Sequence, residues 1–210
     1  MSTTEATELF FSITKLFQSK DMSLRQMVYL AIKELSTISE DVIMVTSSLM
    51  KDMQPKSEVT YRANAIRALC KIVDPSMLPG IERFLKAAIV ERSPSIASAA
   101  LVSSLHLFGD AKDVVRRWGN EVNEALNGKS LSQGSSFFGA SANQNQVVST
   151  SNIVQYHAMG LMYAIRQHDR MAVLKLVQTF SGQNKGSWMG GSAATLRSNM
   201  AHVLLIRYAV

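Results

Sequence analysis

Cysteine, long apolar runs and acidic residues in the last third are all scarce in this 210-residue sequence. The single cysteine, Cys70, excludes an internal disulfide and a cysteine-based metal cluster. No apolar run approaches the roughly 20 residues needed to span a bilayer. The amino terminus has no basic segment followed by an apolar stretch, so it does not resemble a signal peptide. We therefore expect a soluble intracellular protein.

The scarcity of acidic residues is confined to one part of the chain. Residues 1–126 carry 15 basic and 15 acidic side chains, whereas residues 127–210 carry seven basic side chains and one acid, Asp169. The net charge of +6 therefore comes entirely from the last third. Its bases are scattered and accompany no RNA-binding motif. A basic surface facing an acidic partner or an anionic membrane is at least as good an interpretation as nucleic-acid binding.

The sequence also lacks the residue patterns of known catalytic sites. Its four histidines lie outside any HExxH pair, and no GxSxG motif is present. The segment Lys185-Gly186-Ser187 reverses the order of a P-loop and follows a predicted helix instead of a strand. We therefore expect no enzymatic activity, no cofactor and no bound metal.

Helical spacing of apolar residues runs through nearly the whole chain. Leu9, Ile13 and Leu16 follow this spacing, and the pattern resumes after Asp21 and Ser23, either of which can cap a helix. In the second helix the pattern is carried by Leu24, Met27, Val28, Leu30, Ala31, Leu35 and Ile38. Further helices are predicted at about 41–53, 59–73, 77–91, 95–108, 111–126, 152–168, 170–180 and 193–210. No stretch shows the period-two alternation of a strand, so we predict an all-α fold.

Alternate predicted helices begin at regular intervals, near residues 23, 59, 95, 152 and 193. A two-helix unit of roughly 35–45 residues is typical of HEAT- and armadillo-like repeats, which stack into an α-solenoid. We predict one partial helical-repeat domain over residues 1–210. The polar stretch 127–150 is predicted to be a flexible inserted loop within this domain, and 181–192 a glycine-rich connection.

The predicted helix 41–53 has a wider apolar arc than one buried face requires. At 100° per residue its core-facing stripe consists of Val42, Val45, Leu49 and Met53. Ile43 and Met50 lie on the adjacent flank, with Thr46 between them and Ser47 beyond. One interpretation is packing against two neighbouring helices. The other is an exposed hydrophobic contact for a partner protein, rimmed by Ser47, Lys51 and Asp52.

Several ordered blocks of the chain resemble the amino-terminal trunk of the coatomer gamma subunits. The resemblance begins with TEATELFFSITKLFQSKDMSLRQMVYLAIKELSTISEDVIMVTSSLMKDM and continues with YRANAIRALCKI at 61–72 and ALVSSLHLF at 100–108. VVRRWGNEVNEA at 114–125 and IVQYHAMGLMYAIRQHDRMAV at 153–173 follow in the same order. The insertion at 127–150 and the glycine-rich 181–192 depart from the family pattern. The family's extreme amino-terminal segment and its appendage are not in this sequence, so we expect a partial trunk.

The resemblance implies a non-enzymatic, adaptin-like structural subunit of the coatomer vesicle coat. It implies assembly with coatomer zeta, beta and delta subunits and recruitment by an Arf-family small GTPase in its GTP form. The implied location is cytoplasmic and peripheral on Golgi membranes and coated vesicles, in retrograde Golgi-to-ER and intra-Golgi transport. By approximate helix register, the resemblance places the GTPase contact at Ile43, Thr46, Ser47 and Met50. The alternatives are a helical-repeat nucleic-acid-binding protein, although the resemblance implies no nucleic acid, and a general protein-interaction scaffold.

Overall fold

A computed structural model describes residues 3–38, 43–128, 151–181 and 196–209. Every regular element in these ranges is a helix, which confirms the all-α prediction. The chain divides into two compact units, residues 1–85 (unit 1) and 86–210 (unit 2). Most of the predicted inserted loop 127–150, all of the predicted connection 181–192 except Ser181, and residues 193–195 of the last predicted helix lie outside the described residues.

Most helices begin and end close to the predicted positions; the last, predicted from about 193, begins at Asn199, since residues 196–198 are not helical. Four of the five predicted repeat starts are reproduced within one residue, at Met22, Val59, Pro94 and Asn152. The helices of the first half are α1 (Thr3–Thr14), α2 (Met22–Leu35), α3 (Ile43–Asp52), α4 (Val59–Ile72) and α5 (Leu78–Ile89), with 3₁₀ turns at Lys15–Gln18 and Pro75–Met77. The second half contains α6 (Pro94–Leu107), α7 (Lys112–Arg116), α8 (Gly119–Asn127), α9 (Asn152–Arg166), α10 (Arg170–Phe180) and α11 (Asn199–Ala209).

In unit 1, α4 packs against both α2 and α3. Its buried face combines small and large apolar side chains, including Ala63, Ile66 and Leu69, so both neighbours can approach closely. Asp21 is the residue that caps α2, because its Oδ1 accepts hydrogen bonds from the backbone N–H groups of Ser23 and Leu24 at 2.8 and 3.2 Å. These contacts hold the first part of the chain around one apolar core.

The buried face of α2 differs from the one that the apolar spacing suggests. Met27 and Leu30, which belong to the predicted stripe, are 64% and 53% exposed. Arg25, Tyr29 and Ile32 are buried in their place. Val28 and Leu35, which also belong to the predicted pattern, are buried. Apolar residues lie all around this helix, so the pattern predicts the helix correctly and its buried face only in part.

In unit 2, α9 is the central helix and packs against α6, α8 and α11. The side of α6 that is buried is rich in alanine and serine, which lets helix backbones approach closely. The helix predicted over 111–126 is instead two helices, α7 and α8, joined by a turn at Arg117 and Trp118. Trp118 is fully buried, and Gly119 follows it at the start of α8. Burial of this indole and the glycine's low helix propensity are the physical reasons for the break.

A buried glutamine on α9 joins three parts of unit 2. The Nε2 of Gln155 donates to the carbonyl of Leu126 at 3.3 Å, near the end of α8. Its Oε1 accepts from the backbone N–H groups of Arg197 and Ser198, at 2.8 and 3.3 Å. The end of α8 and the residues leading into α11 are therefore both fixed by the same side chain.

Candidate partner-binding surface

One face of α3 packs into the core of unit 1. Val45 and Leu49 are completely buried and Met53, just after the helix, is nearly so, as the predicted core stripe requires. Thr46 is also buried, and its Oγ1 donates to the carbonyl of Ile43 at 2.6 Å. This local hydrogen bond satisfies the hydroxyl inside its own helix. Val42, the first residue of the predicted stripe, lies outside the described residues.

The opposite face of α3 carries large apolar side chains that are largely exposed among the described residues. Ile43 is 70% exposed and Met44 is 51% exposed. Ser47 and Lys51 are exposed beside them, and Met50 is half-buried at the edge. We call Ile43, Met44, Ser47 and Met50 the α3 surface. Of the four residues predicted as a contact, Ile43, Ser47 and Met50 lie together on it, whereas Thr46 faces inward.

A buried cationic network fixes the carboxyl end of α3 against α2. The Arg25 guanidinium donates to the Asp52 carboxylate, to the carbonyl of Phe17 and, at 2.7 Å, to the Tyr29 hydroxyl. The Tyr29 hydroxyl in turn donates to Asp52 at 2.7 Å. The guanidinium carbon also lies 4.4 Å from the centre of the Tyr61 ring, on α4. Three helices of unit 1 therefore meet at one arginine.

Burial sets the charge states within this network. Burial lowers the pKa of Arg25, but its hydrogen bonds to Tyr29 and Asp52 outweigh this effect and leave that pKa raised. Burial, reinforced by the hydrogen bond to Asp52, raises the pKa of the Tyr29 phenol well above its usual range. The arginine is therefore charged and the tyrosine neutral, and the phenol keeps its proton for the carboxylate.

The sequence did not reveal two parts of this arrangement. The width of the apolar arc does not identify Met44, although its exposure makes it a substantial part of the α3 surface. Asp52 was expected on the rim of an exposed contact, whereas it is paired with Arg25 and only partly accessible. The available signal is an arginine and a tyrosine spaced i, i+4 on the same helix, α2. Its partner lies 27 residues further along the chain, beyond the reach of local spacing.

A histidine on α9 lies beside a serine on α6. Nδ1 of His157 lies 2.9 Å from Oγ of Ser98, a partly buried contact between α9 and α6. Within the described ranges, no three or more histidine, cysteine, aspartate or glutamate side chains form a group suited to a metal ion. In the same ranges, no helix combines the length and apolar character needed to cross a membrane.

Comparison with known proteins gives consistent matches. The family model described as the adaptin N terminal region matches residues 1–209. With the helical structure, this match confirms the predicted α-solenoid class. The probable coatomer subunit gamma of Caenorhabditis elegans is 54% identical over 178 residues, which are 85% of this chain and 18% of the relative.

Two further relatives give the same result. The coatomer subunit gamma of Dictyostelium discoideum is 55% identical over 174 residues, covering 83% of this chain and 17% of the relative. That of Anopheles gambiae is 49% identical over 209 residues, covering 100% of this chain and 20% of the relative. The chain thus spans about a fifth of the length of the curated relatives it matches.

Proposed function

Because this chain belongs to the adaptin N terminal region family and is about half identical to coatomer gamma subunits, we propose that it is part of a structural subunit of a vesicle coat. In this proposal the chain presents binding surfaces and carries out no reaction. Its fold suits that role, because helices packed around shared cores hold surface side chains in fixed positions. The observation that carries the proposal is the α3 surface, where a helix anchored on one face leaves large apolar side chains exposed on the other.

We propose that the α3 surface binds an Arf-family GTPase in its GTP form. Ile43 and Met44 supply the apolar area that the centre of such a contact requires, and Ser47 and Lys51 supply its polar rim. Thr46 contributes through the local structure of α3 and not by contact. Dependence on GTP arises if the partner's nucleotide-sensitive segments match this surface in only one of their two conformations.

Contacts with other coat subunits account for a second exposed apolar area of unit 1. Met27 and Leu30 project from the outer side of α2 together with Leu24, and Ile38 is exposed in the turn that follows the helix. Exposed apolar side chains in this number are typical of surfaces that are covered in an assembly. Coatomer zeta, beta and delta are the partners that this proposal assigns to the complete subunit. The corresponding location is peripheral on Golgi membranes and coated vesicles, in retrograde Golgi-to-ER and intra-Golgi transport.

The GTPase contact can be tested with a matched pair of variants. Ile43→Asp places a charge at the centre of the α3 surface, and adding Ser47→Asp extends it. Ile206→Asp on α11 is the control, since Ile206 is 65% exposed and has the same chemistry elsewhere. The measurement is the affinity of the full chain for an Arf-family GTPase loaded with a non-hydrolysable GTP analogue or with GDP.

We expect binding to the GTP form alone, and a loss of about tenfold or more with Ile43→Asp, since an apolar contact is removed and a charge is desolvated. Ile206→Asp should bind as the parent does, and circular dichroism should be unchanged in all variants because the substituted side chains are exposed. Equal affinity for the two nucleotide states would reject the proposal. So would full binding by the doubly substituted chain.

A further inference from the structure

A groove runs along α10 in unit 2, and no part of the proposed coat function uses it. It consists of two adjoining cavities of about 230 and 580 Å³ that share Arg166, Lys175 and Thr179 among their lining residues. The smaller cavity lies among α8, α9 and α10, and the larger one follows the outer side of α10. We call these two cavities together the α10 groove.

Two positive charges in the α10 groove have no acidic partner. Neither the Arg166 nor the Lys175 side chain forms an ion pair within the described residues. Asp169, which lines the larger cavity, caps α10 by accepting from the N–H of Ala172 at 3.0 Å. It is also the sole acidic residue after Glu124 in the sequence. The groove therefore has unbalanced positive charge.

Part of the wall of the smaller cavity is apolar, and Asn120 and Asn123 lie in the same wall. Met162 and Phe180 line it and are almost completely buried, and Leu176 lies beside them. On the outer side of α10, Met171 and Leu174 extend this apolar surface into the larger cavity and are 71% and 47% exposed. A ligand of charge alone, such as a free phosphate, leaves the exposed parts of Met171 and Leu174 in contact with water.

The volumes of the two cavities also limit the kind of ligand that the α10 groove can hold. At about 230 Å³ the smaller cavity is below the range of roughly 300–1,000 Å³ that is usual for sites of small organic ligands. It is large enough for one bulky side chain. The adjoining larger cavity is more open and runs along α10, a shape that suits an extended segment of peptide chain.

We propose that the α10 groove binds an extended acidic peptide that carries a bulky apolar side chain. The apolar side chain enters the smaller cavity against Met162 and Phe180. Carboxylates on either side of it accept hydrogen bonds from Arg166 and Lys175. These hydrogen bonds join oppositely charged groups and are therefore stronger than hydrogen bonds between neutral groups. The peptide backbone passes over Met171 and Leu174. This site lies in unit 2 and goes beyond the proposed GTPase contact, which lies in unit 1.

The test uses the full chain and a fluorescein-labelled peptide of one phenylalanine flanked on each side by two aspartates. Two control peptides replace every aspartate by asparagine or the phenylalanine by serine. The protein variants are Arg166→Gln and Lys175→Gln, alone and together. Arg207→Gln on α11 is the matched control, because it removes the same charge from an exposed arginine that does not line the groove. Fluorescence polarisation gives the affinities, and vesicles containing phosphatidylserine are assayed in parallel by flotation.

We expect saturable binding of the acidic peptide, weakened about tenfold by each control peptide and by the doubly substituted protein. Arg207→Gln and Ile43→Asp should leave it unchanged, the latter result showing that the site is independent of the α3 surface. Equal binding of the asparagine peptide, or full binding by the doubly substituted protein, would overturn the proposal. Vesicle binding that depends on Arg166 and Lys175, without peptide binding, would also overturn it and assign the groove to a lipid surface instead.

Discussion

Separating Arg25 from Asp52 should destabilise unit 1 by more than the removal of an ordinary surface ion pair. Asp52→Ala removes the acceptor shared by the Arg25 guanidinium and the Tyr29 hydroxyl. The side chains of Arg25 and Asp52 are only 7% and 14% exposed, so water replaces little of what is lost. Breaking a buried pair by removing one partner costs about 3–5 kcal/mol. Because Asp52 keeps some access to solvent, we expect about 3 kcal/mol for this variant.

Removing the other partner of the pair, Arg25, should lower the free energy of unfolding by less than Asp52→Ala does. Arg25→Met keeps an unbranched side chain of similar length among the rings of Phe17, Tyr29 and Tyr61, while the Asp52 carboxylate retains its hydrogen bond from Tyr29. We expect about 2 kcal/mol. The double variant leaves no uncompensated charge, so its cost should be about 3 kcal/mol and the coupling energy about 2 kcal/mol.

Urea denaturation followed by far-ultraviolet circular dichroism measures these free energies. Tryptophan fluorescence recorded in parallel reports on unit 2 alone, since both tryptophans, Trp118 and Trp188, lie beyond residue 85. Arg83→Met on α5 is the control and should change the free energy of unfolding by less than about 0.5 kcal/mol, because Arg83 is exposed. Costs of Arg25→Met and Asp52→Ala that simply add in the double variant would show that the two groups do not act as a pair.

Two further substitutions test other points of the fold. Gln155→Ala should lower the free energy of unfolding by about 3 kcal/mol, because it leaves the buried Leu126 carbonyl and two backbone N–H groups without their partner. Urea denaturation followed by tryptophan fluorescence measures this change. An unchanged denaturation midpoint would contradict the assigned contacts. Asp21→Ala should cost about 1 kcal/mol through loss of the α2 cap. Asp21→Asn should retain most of the stability that Asp21→Ala loses, as measured by urea denaturation followed by circular dichroism. If it does not, the carboxylate stabilises α2 by its charge and not as a cap.

Helix positions were predictable from this sequence because their signals are local. Asp21 lies where a cap is needed, Pro94 lies in the first turn of α6, and the apolar spacing repeats between them. The orientation of α2 was not predictable. Met27 and Leu30 are as apolar as the residues that are buried, so spacing alone cannot select the inner face.

The same limit applies to the candidate site. Ile43, Ser47 and Met50 were identified from the width of the apolar arc on one helix, which is a local property. Arg25 is buried only because Asp52 and three aromatic rings surround it in the folded chain. Tertiary pairing of this kind reverses the usual preference of arginine for the surface, and no window along the sequence contains it.

The contacts of Gln155 also bear on how unit 2 opens locally. One buried side chain holds the carbonyl of Leu126 at the end of α8 and the N–H groups of Arg197 and Ser198 ahead of α11. Backbone segments that depend on the same buried partner lose it together. The end of α8 and the start of α11 are therefore expected to open as one unit, although they lie far apart along the chain.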